Sequence, residues 1–252
     1  MLNGYFDESG THGHAKSTVI AGYVGDDKAW ASVDAQWRGI LHTYRLKSFH
    51  MADAIAQRGE FHQIQSYMVK DICNALANIL NTSELHVVWS GVDASVWYAA
   101  TNEEFRVAFP KPYDLCFLEI LRQLRSWQRS IRQFGRLSMV FAAQNEYQER
   151  SAETLKAWSR YIKKGVWPLG FDSPNNLPAL QAADMLVHEL YVSLNTLELS
   201  ADYTGKISIT PLLHSASKGD VGSGGFITEN ALKLRVANRD WIDPYFPCPA
   251  EK

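Results

Sequence analysis

Carboxylates stand at three places where the surrounding pattern asks for apolar or neutral side chains. Asp7 and Glu8 close the short run that contains Leu2, Tyr5 and Phe6. Glu146 follows the apolar stretch LSMVFAA, and Asp184 lies inside LPALQAADMLVHEL, beside Leu180, Ala183, Val187, Leu190 and Tyr191 at helical spacing. A buried carboxylate is costly unless it is paired, hydrogen-bonded or bound to a cation. Three carboxylates converging on one point would repel each other, and a divalent ion with a preference for hard oxygen ligands, Mg²⁺ or Mn²⁺, would compensate them. Two such ions can activate a water and stabilise the leaving oxygen of a phosphodiester. The same residues also admit plain structural roles. Asp-Glu-Ser-Gly is ordinary chemistry for leaving a strand. Glu146 suits the positive end of a following helix, and Asp184 suits a buried acid bonded to a backbone or tyrosine partner.

Other polar groups lie within reach of such a site. His50 and Asp53, in FHMAD, are three residues apart and share a face if a helix begins there. His12 and His14 lie just beyond Asp7-Glu8, where turn residues are equally expected. His188 follows Asp184 at i+4 and reads as a neighbour of the site or as a packed histidine, and Glu189 reads as a solvated residue.

These residues need elements to hold them. Residues 2–8 and 17–24 read as two strands joined by the polar turn Ser9–Lys16. Asp26-Asp27 open a helix whose Trp30, Val33, Trp37, Ile40, Leu41 and Tyr44 form one stripe, and a second helix is expected over 62–80. LHVVWSGVD (85–93) is a third strand. Pro110 and Pro112 precede a long helix, 113–133, with Phe117, Ile120, Leu121, Leu124 and Ile131 on its buried face. A central strand at 137–143, a charged helix at 147–164, a short strand at 167–171 and a helix at 179–194 follow. A strand alternates its side chains, so one member of Asp7-Glu8 is expected to face a buried side.

Two strands in sequence followed by alternating strand and helix imply a mixed α/β sheet flanked by helices. The order fits a ribonuclease H-like sheet with a helical insertion between the second and third strands. In such a sheet the first and fourth strands are parallel neighbours, and their carboxyl ends would carry Asp7 and Glu146 to one edge. Residues 195–252 read as an irregular C-terminal extension, packed on or beside a 1–194 domain. Within it a short helix is expected near 228–238, and SKGDVGSGGF reads as a flexible surface loop.

The 252 residues are 46% hydrophobic, with eight Trp and eleven each of Tyr and Phe, enough for one sizeable core. No stretch reaches the ~20 apolar residues of a membrane span. Three scattered cysteines, Cys73, Cys116 and Cys248, make neither a disulfide framework nor a zinc pattern. With no signal-peptide plan at the N-terminus, a cytoplasmic protein is expected. A formal charge of -2 excludes a generally basic coat but not a local patch.

YFDESGTH, FHMAD, QNEY and LPALQAADMLVHEL, in this order over residues 1–194, resemble the bacterial family called domain of unknown function 3800. The resemblance implies a ribonuclease H-like fold and metal-dependent phosphodiester chemistry, often in mobile-element or defence settings. It places Asp7 and Glu8 in the family's DESG acids, His50 in its FHM segment and Asp184 in its QAAD helix. Where many members carry an acid near the end of the central strand, this chain has Ala142 and Ala143, and Glu146 is the acid left in that region.

The expected site therefore comprises Asp7, Glu146 and Asp184 as Mg²⁺ or Mn²⁺ ligands. Glu8 serves as a further ligand or base, His50 orients water or the leaving group, and His12, Asp53 and His188 stand behind them. Arg122, Arg125, Arg129, Arg132 and Arg136 repeat at three, four, three and four along the long helix and form a stripe suited to a phosphate backbone, or to an amphipathic border neutralised by nearby acids. Lys156, Arg160, Lys163 and Lys164 form a second basic cluster, which Glu149 and Glu153 make a solvated face. The first functional expectation is a nuclease. A catalytically silent nucleic-acid-binding or assembly subunit and a hydrolase of a small nucleotide are the alternatives, with the extension available for a protein partner.

Overall fold

The computed structural model describes residues 1–12, 15–133, 135–159, 167–196 and 222–238. Its strands are β1 (Leu2–Ser9), β2 (Ser17–Asp26), β3 (His86–Asp93), β4 (Leu137–Ala142), β5 (Leu169–Asp172) and β6 (Gly222–Phe226). Its helices are α1 (Asp27–Thr43), α2 (Met51–Ala56), α3 (Ser66–Asn81), α4 (Ala94–Ala100), α5 (Glu103–Ala108), α6 (Pro112–Ser130), α7 (Asn145–Ser159), α8 (Pro178–Thr196) and α9 (Glu229–Asn238). A short 3-10 turn spans Gly59–Phe61.

The architecture is a six-stranded mixed sheet, ordered β5-β4-β1-β2-β3-β6, with helices on both faces. β1, β2 and β3 are antiparallel neighbours, β4 runs parallel to β1, and β5 runs parallel to β4. The expected parallel pairing of first and fourth strands is therefore present, with Phe6 opposite Phe141. α1, α2 and α3 lie between β2 and β3, where the helical insertion was expected.

Alternation along the strands sorts the core into two layers. Val19, Ala21 and Tyr23 of β2 pack with α1, α3 and α8, around Trp37, Leu76 and Leu186. Phe6, Ile20 and Val24 face the other way, onto α6 and the rings of Trp97, Phe117 and Phe141. Asp26 caps α1 by accepting from Ala29 N at 2.8 Å, and Trp30, Val33, Trp37 and Leu41 form its buried stripe.

Three local expectations change. α6 ends at Ser130, with Ile131 capping it, so Ile131 leaves the buried face and is exposed. Glu189 is buried rather than solvated. Residues 222–226, expected as loop, are the edge strand β6, parallel to β3. Three of its five residues are glycine, which hides the strand from propensity. Packing explains one of the three, because a Cβ at Gly224 would lie 2.2 Å from the Trp89 ring. The helix expected near 228–238 is α9, and α9 packs against α4. His14, Arg160, Lys163 and Lys164 lie outside the described residues.

Candidate functional site at the carboxyl edge of the sheet

β1 ends in two carboxylates whose directions differ. Phe6 belongs to the layer under α6, so alternation turns Asp7 to the opposite face, under α8, and Glu8 back toward α6. Both faces are covered here, and both acids are buried, with exposures of 8% and 7%. The expectation that one of the two meets a buried side is thus exceeded.

Asp7 accepts from Glu8 N at 2.8 Å. Burial, then the charges of Glu8 and Asp184, hold its carboxyl well above the usual range. Asp184, from the second turn of α8, is the partner from distant sequence that reaches this face. Its own carboxyl is raised by burial and held down in part by His50 and by a backbone hydrogen bond. That bond comes from Met51 N, which donates to Asp184 Oδ2 at 2.6 Å.

The segment Phe49-His50-Met51 runs along α8 and is read by it at alternate residues. Phe49 N donates to Gln181 Oε1 at 3.1 Å, and Met51 N to Asp184. His50, between them, places Nε2 3.4 Å from Asp184 Oδ1 and Nδ1 3.2 Å from Asp53 Oδ2. Arg58 closes the chain, 3.5 Å from Asp53 Oδ1. With a carboxylate facing each ring nitrogen, His50 bridges two acids and is placed to orient Asp184. It is poorly placed to act as a base on water.

Gln181 went unread in the sequence. Its side chain, 1% exposed, accepts from Trp37 Nε1 at 2.9 Å and from Phe49 N, and donates to Pro174 O at 2.9 Å. One amide thus ties α1, the His50 segment and the β5–α8 connection together. Beside it a cleft of about 440 Å³ opens between the α2 region and that connection, lined by Ser48, His50, Asp53, Glu60, Ser173 and Asn175 among others.

The third acid is where the reading of the sequence and the structure part most. Ala142 ends β4 and is buried, so no carboxylate stands there. The backbone of Glu146 lies in the first turn of α7, and its side chain lies outside the described residues. That turn is held to the segment after β1. Thr11 Oγ1 donates to Gln144 Oε1 at 3.3 Å, and Tyr147 Oη to Thr11 O at 3.1 Å. A further acid, Asp172, pairs in register with Ala142 at the end of β5. Because Phe6 pairs with Phe141, Asp7 falls level with Ala142, on the same face as Asp172 and roughly 10 Å across two strand spacings. Asp172 Oδ1 accepts from Ser173 N at 2.7 Å and Asn176 Nδ2 at 3.1 Å. A signal was present in the sequence, since Phe171-Asp172 ends its strand as Phe6-Asp7 ends β1.

Glu8 belongs to a different group. Burial lifts its carboxyl to about 8, and Oε2 has no hydrogen-bond partner among the described residues. Tyr113, its neighbour at the start of α6, has its phenol raised by burial and by the Glu8 charge, and bonds Ser151 Oγ at 3.1 Å. Tyr147 stacks on Tyr113 at 4.2 Å, and Arg150 makes two bonds to buried Asp114, at 2.9 and 2.8 Å. Glu8 therefore does not share the Asp7–Asp184 face, because adjacent strand residues point to opposite sides.

His12 is exposed, and its carbonyl accepts from Ala15 N at 2.9 Å, in the turn role. Next to Asp184, His188 has Nδ1 3.6 Å from Glu189 Oε1, and its charge favours ionised Asp184. Gly10 makes the exit from β1 possible: its φ is +74°, and a Cβ there would meet Ser17 O at 1.9 Å.

The arginine stripe lies elsewhere. Tyr113, at the start of α6, neighbours Glu8, whereas Trp127 stacks on His86 at the start of β3, the opposite end of the sheet. A helical rise from residue 113 to 129 is roughly 24 Å. Arg122 is bound to Glu119 at 2.9 Å, an acid that Arg235 of α9 also engages at 2.6 Å. Arg125 is half-buried, while Arg129, Arg132 and Arg136 are exposed. Arg132 has φ +54° beyond the helix end, so a continuous helical stripe stops at Arg129.

The donors present bear on whether a divalent ion fits here. Asp7 and Asp184 supply hard oxygens on one face, burial raises both carboxyls, and the Asp184 charge raises Asp7 further, a repulsion that a cation would relieve. Among the described residues no group of three or more His, Cys, Asp or Glu forms a metal-ligand cluster. Two carboxylates therefore fit, and a third ligand has to come from outside the described side chains. No described helix is long and apolar enough to cross a membrane.

Comparison with known proteins adds little that bears on function. No protein-family model matches the chain, and no curated protein matches it, so the family resemblance rests on its motifs alone. Among solved structures, a chain from the PCNA:RNase HII complex of Archaeoglobus fulgidus is similar at a TM-score of 0.41 and 12% identity, over 87% of this chain and 90% of that one.

Proposed function

We propose that the chain is a divalent-metal-dependent nuclease with a ribonuclease H-like fold. The observation that carries this reading is the meeting of Asp7 and Asp184, distant in sequence, buried on one face near the carboxyl end of β1, both raised in pKa by burial and Asp7 further by the Asp184 charge. The three antiparallel strands followed by two parallel ones support the fold, and ligands of open α/β sheets bind at this edge. The motif resemblance to domain of unknown function 3800 points the same way.

In this reading Asp7 and Asp184 would hold Mg²⁺ or Mn²⁺, and Glu146, whose helix turn is tied to Thr11 through Gln144 and Tyr147, is proposed as the third ligand. When bound, the ion polarises the phosphodiester and lowers the pKa of a water. His50 holds Asp184 in its orientation and keeps it ionised, and Asp53 and Arg58 hold His50. Met51 N–H fixes the second oxygen of Asp184. Glu8, its carboxyl lifted by burial to about 8, lies on the opposite face beside Tyr113 and is not a ligand in this reading. The exposed Arg129, Arg132 and Arg136 would engage backbone phosphates of a long substrate away from the site.

The test is Mn²⁺ binding by calorimetry on wild type, Asp7→Ala and Asp184→Ala, with oligonucleotide hydrolysis alongside. Binding by wild type that both variants lose supports one shared site. No binding and no hydrolysis by wild type would reject it.

One observation favours a second reading, a catalytically silent binding subunit of the same fold. Ala142 leaves the central strand without its acid, and both oxygens of Asp184 already have partners within the protein. Metal-independent nucleic-acid binding that survives loss of both acids is its signature.

A further inference from the structure

The cleft beside His50 has a composition unlike a phosphate site. Its walls carry the carboxylates of Asp53 and Glu60, with buried Asp184 behind His50. Two acids on the walls, with a third buried behind His50, repel a phosphate. The remaining lining offers neutral hydrogen-bonding groups, the hydroxyls of Ser48 and Ser173 and the amide of Asn175, around the edge of Phe61. At about 440 Å³ the cleft is of a size that takes one small, mostly uncharged ring system.

Its shape is held in advance. Gln181 bonds Phe49 N on one wall and Pro174 O on the other, and Trp37 Nε1 locks the amide itself. Glu60 is fixed from below, where Lys47 N donates to Oε2 at 2.7 Å. A cleft whose two walls are pinned by one buried side chain loses little entropy when a ligand orders it further.

We infer that this cleft is a nucleoside subsite that receives an unpaired nucleotide next to the phosphate held at Asp7 and Asp184, an inference that rests on the nuclease reading above. His50 links the two places, since it lines the cleft and contacts Asp184. A base stacked in a duplex cannot enter a cleft, whereas a single-stranded or splayed-out base can. Carboxylate acceptors also suit a base with an exocyclic amine, as Asp and Glu do for cytosine N4. The substrate class is therefore single-stranded or locally unpaired nucleic acid rather than intact duplex.

The experiment is fluorescence anisotropy with a short fluorescein-labelled oligocytidylate, free and annealed to its complement, in Ca²⁺ to suppress turnover. Wild type is expected to bind the free strand about tenfold or more tightly than the duplex. Asn175→Ala and Ser48→Ala, both at partly exposed positions, each weaken free-strand binding by about fivefold, the scale of one hydrogen bond. Mn²⁺ affinity by calorimetry stays unchanged in both variants. Equal affinity for duplex and free strand, unchanged affinity in the two variants, or no strand binding by wild type overturns the inference. If the variants weaken strand binding while wild type binds no Mn²⁺, the subsite stands and the nuclease reading falls.

Discussion

Met51 N donates to Asp184 Oδ2 at 2.6 Å, across 133 residues of sequence, so the motifs FHMAD and LPALQAADMLVHEL meet through a backbone hydrogen bond. The bond orients a buried carboxylate by a backbone group, which cannot rotate away as a side chain can. With His50 on the other oxygen, Asp184 presents a set direction to Asp7 before any ligand arrives. Such preorganisation is what an electrostatic site needs.

Removing a charge from this face should stabilise the protein while abolishing metal binding. Asp7→Asn relieves burial of a carboxylate that two neighbouring acids repel. The expected gain is about 1–2 kcal/mol in metal-free buffer near pH 8, read as a shift of the urea midpoint. Addition of Mn²⁺ should then stabilise wild type and leave the variant unmoved.

Stability should fall as pH rises through neutrality. Glu8 has an ordinary pKa of 4.5, raised by burial to about 8, so the unfolded chain releases this proton first. Between those values the folded state binds more protons than the unfolded state, and unfolding becomes easier with each step of pH. Denaturation of metal-free protein near pH 5 and near pH 9 should show a loss on the order of 1–3 kcal/mol. Glu8→Gln should flatten the curve; a slope equal to that of wild type would remove Glu8 as its source.

Gln181→Leu should be among the most damaging single changes. It leaves Trp37 Nε1 and Phe49 N without their partner in a buried place and removes one of two donors to Pro174 O, which keeps Leu177 N at 3.4 Å. The cost is about 2–4 kcal/mol in chemical denaturation, because unmade buried hydrogen bonds each carry a desolvation penalty. Amide exchange at Phe49 should quicken relative to β1.

His50→Gln keeps a donor toward one carboxylate and loses the charge between two. Since the His50 charge helps keep Asp184 ionised, its loss should raise the Asp184 pKa further. The acid limb of a pH–rate profile for hydrolysis should move upward, with activity at pH 7 reduced about 10- to 100-fold. An unmoved limb with lowered activity would assign His50 to a different step.

Combined Arg129→Ala, Arg132→Ala and Arg136→Ala should weaken binding of long nucleic acids and lower the salt dependence by about one to three phosphate contacts. Hydrolysis of a short oligonucleotide should be unaffected, because the stripe lies at the far end of the sheet from Asp7.

β1 to β5 and the long helices were legible because each is specified by neighbours in the chain, whereas the short α4 and α5 went unread. The Trp30-Val33-Trp37-Leu41 stripe names the buried side of α1 by itself, and LSMVFA announces a central strand. The parallel β1–β4 pair could be anticipated from the order of elements, and Asp7, His50 and Asp184 could be singled out by type. β6 escaped because its glycine-rich sequence has low strand propensity, while Gly224 answers to the Trp89 ring, far away in sequence.

What tertiary structure alone decided is which acids meet. Adjacent in sequence, Asp7 and Glu8 part to opposite faces, each covered by its own helices, so one joins Asp184 and the other joins Tyr113. Asp172 reaches the same edge through the register of β4 and β5. Gln181 becomes the tie of a cleft through partners from three separate segments. Periodicity tells a side chain which face it takes within its own element. Which distant group waits on that face depends on strand register and helix placement, set by packing of the whole chain.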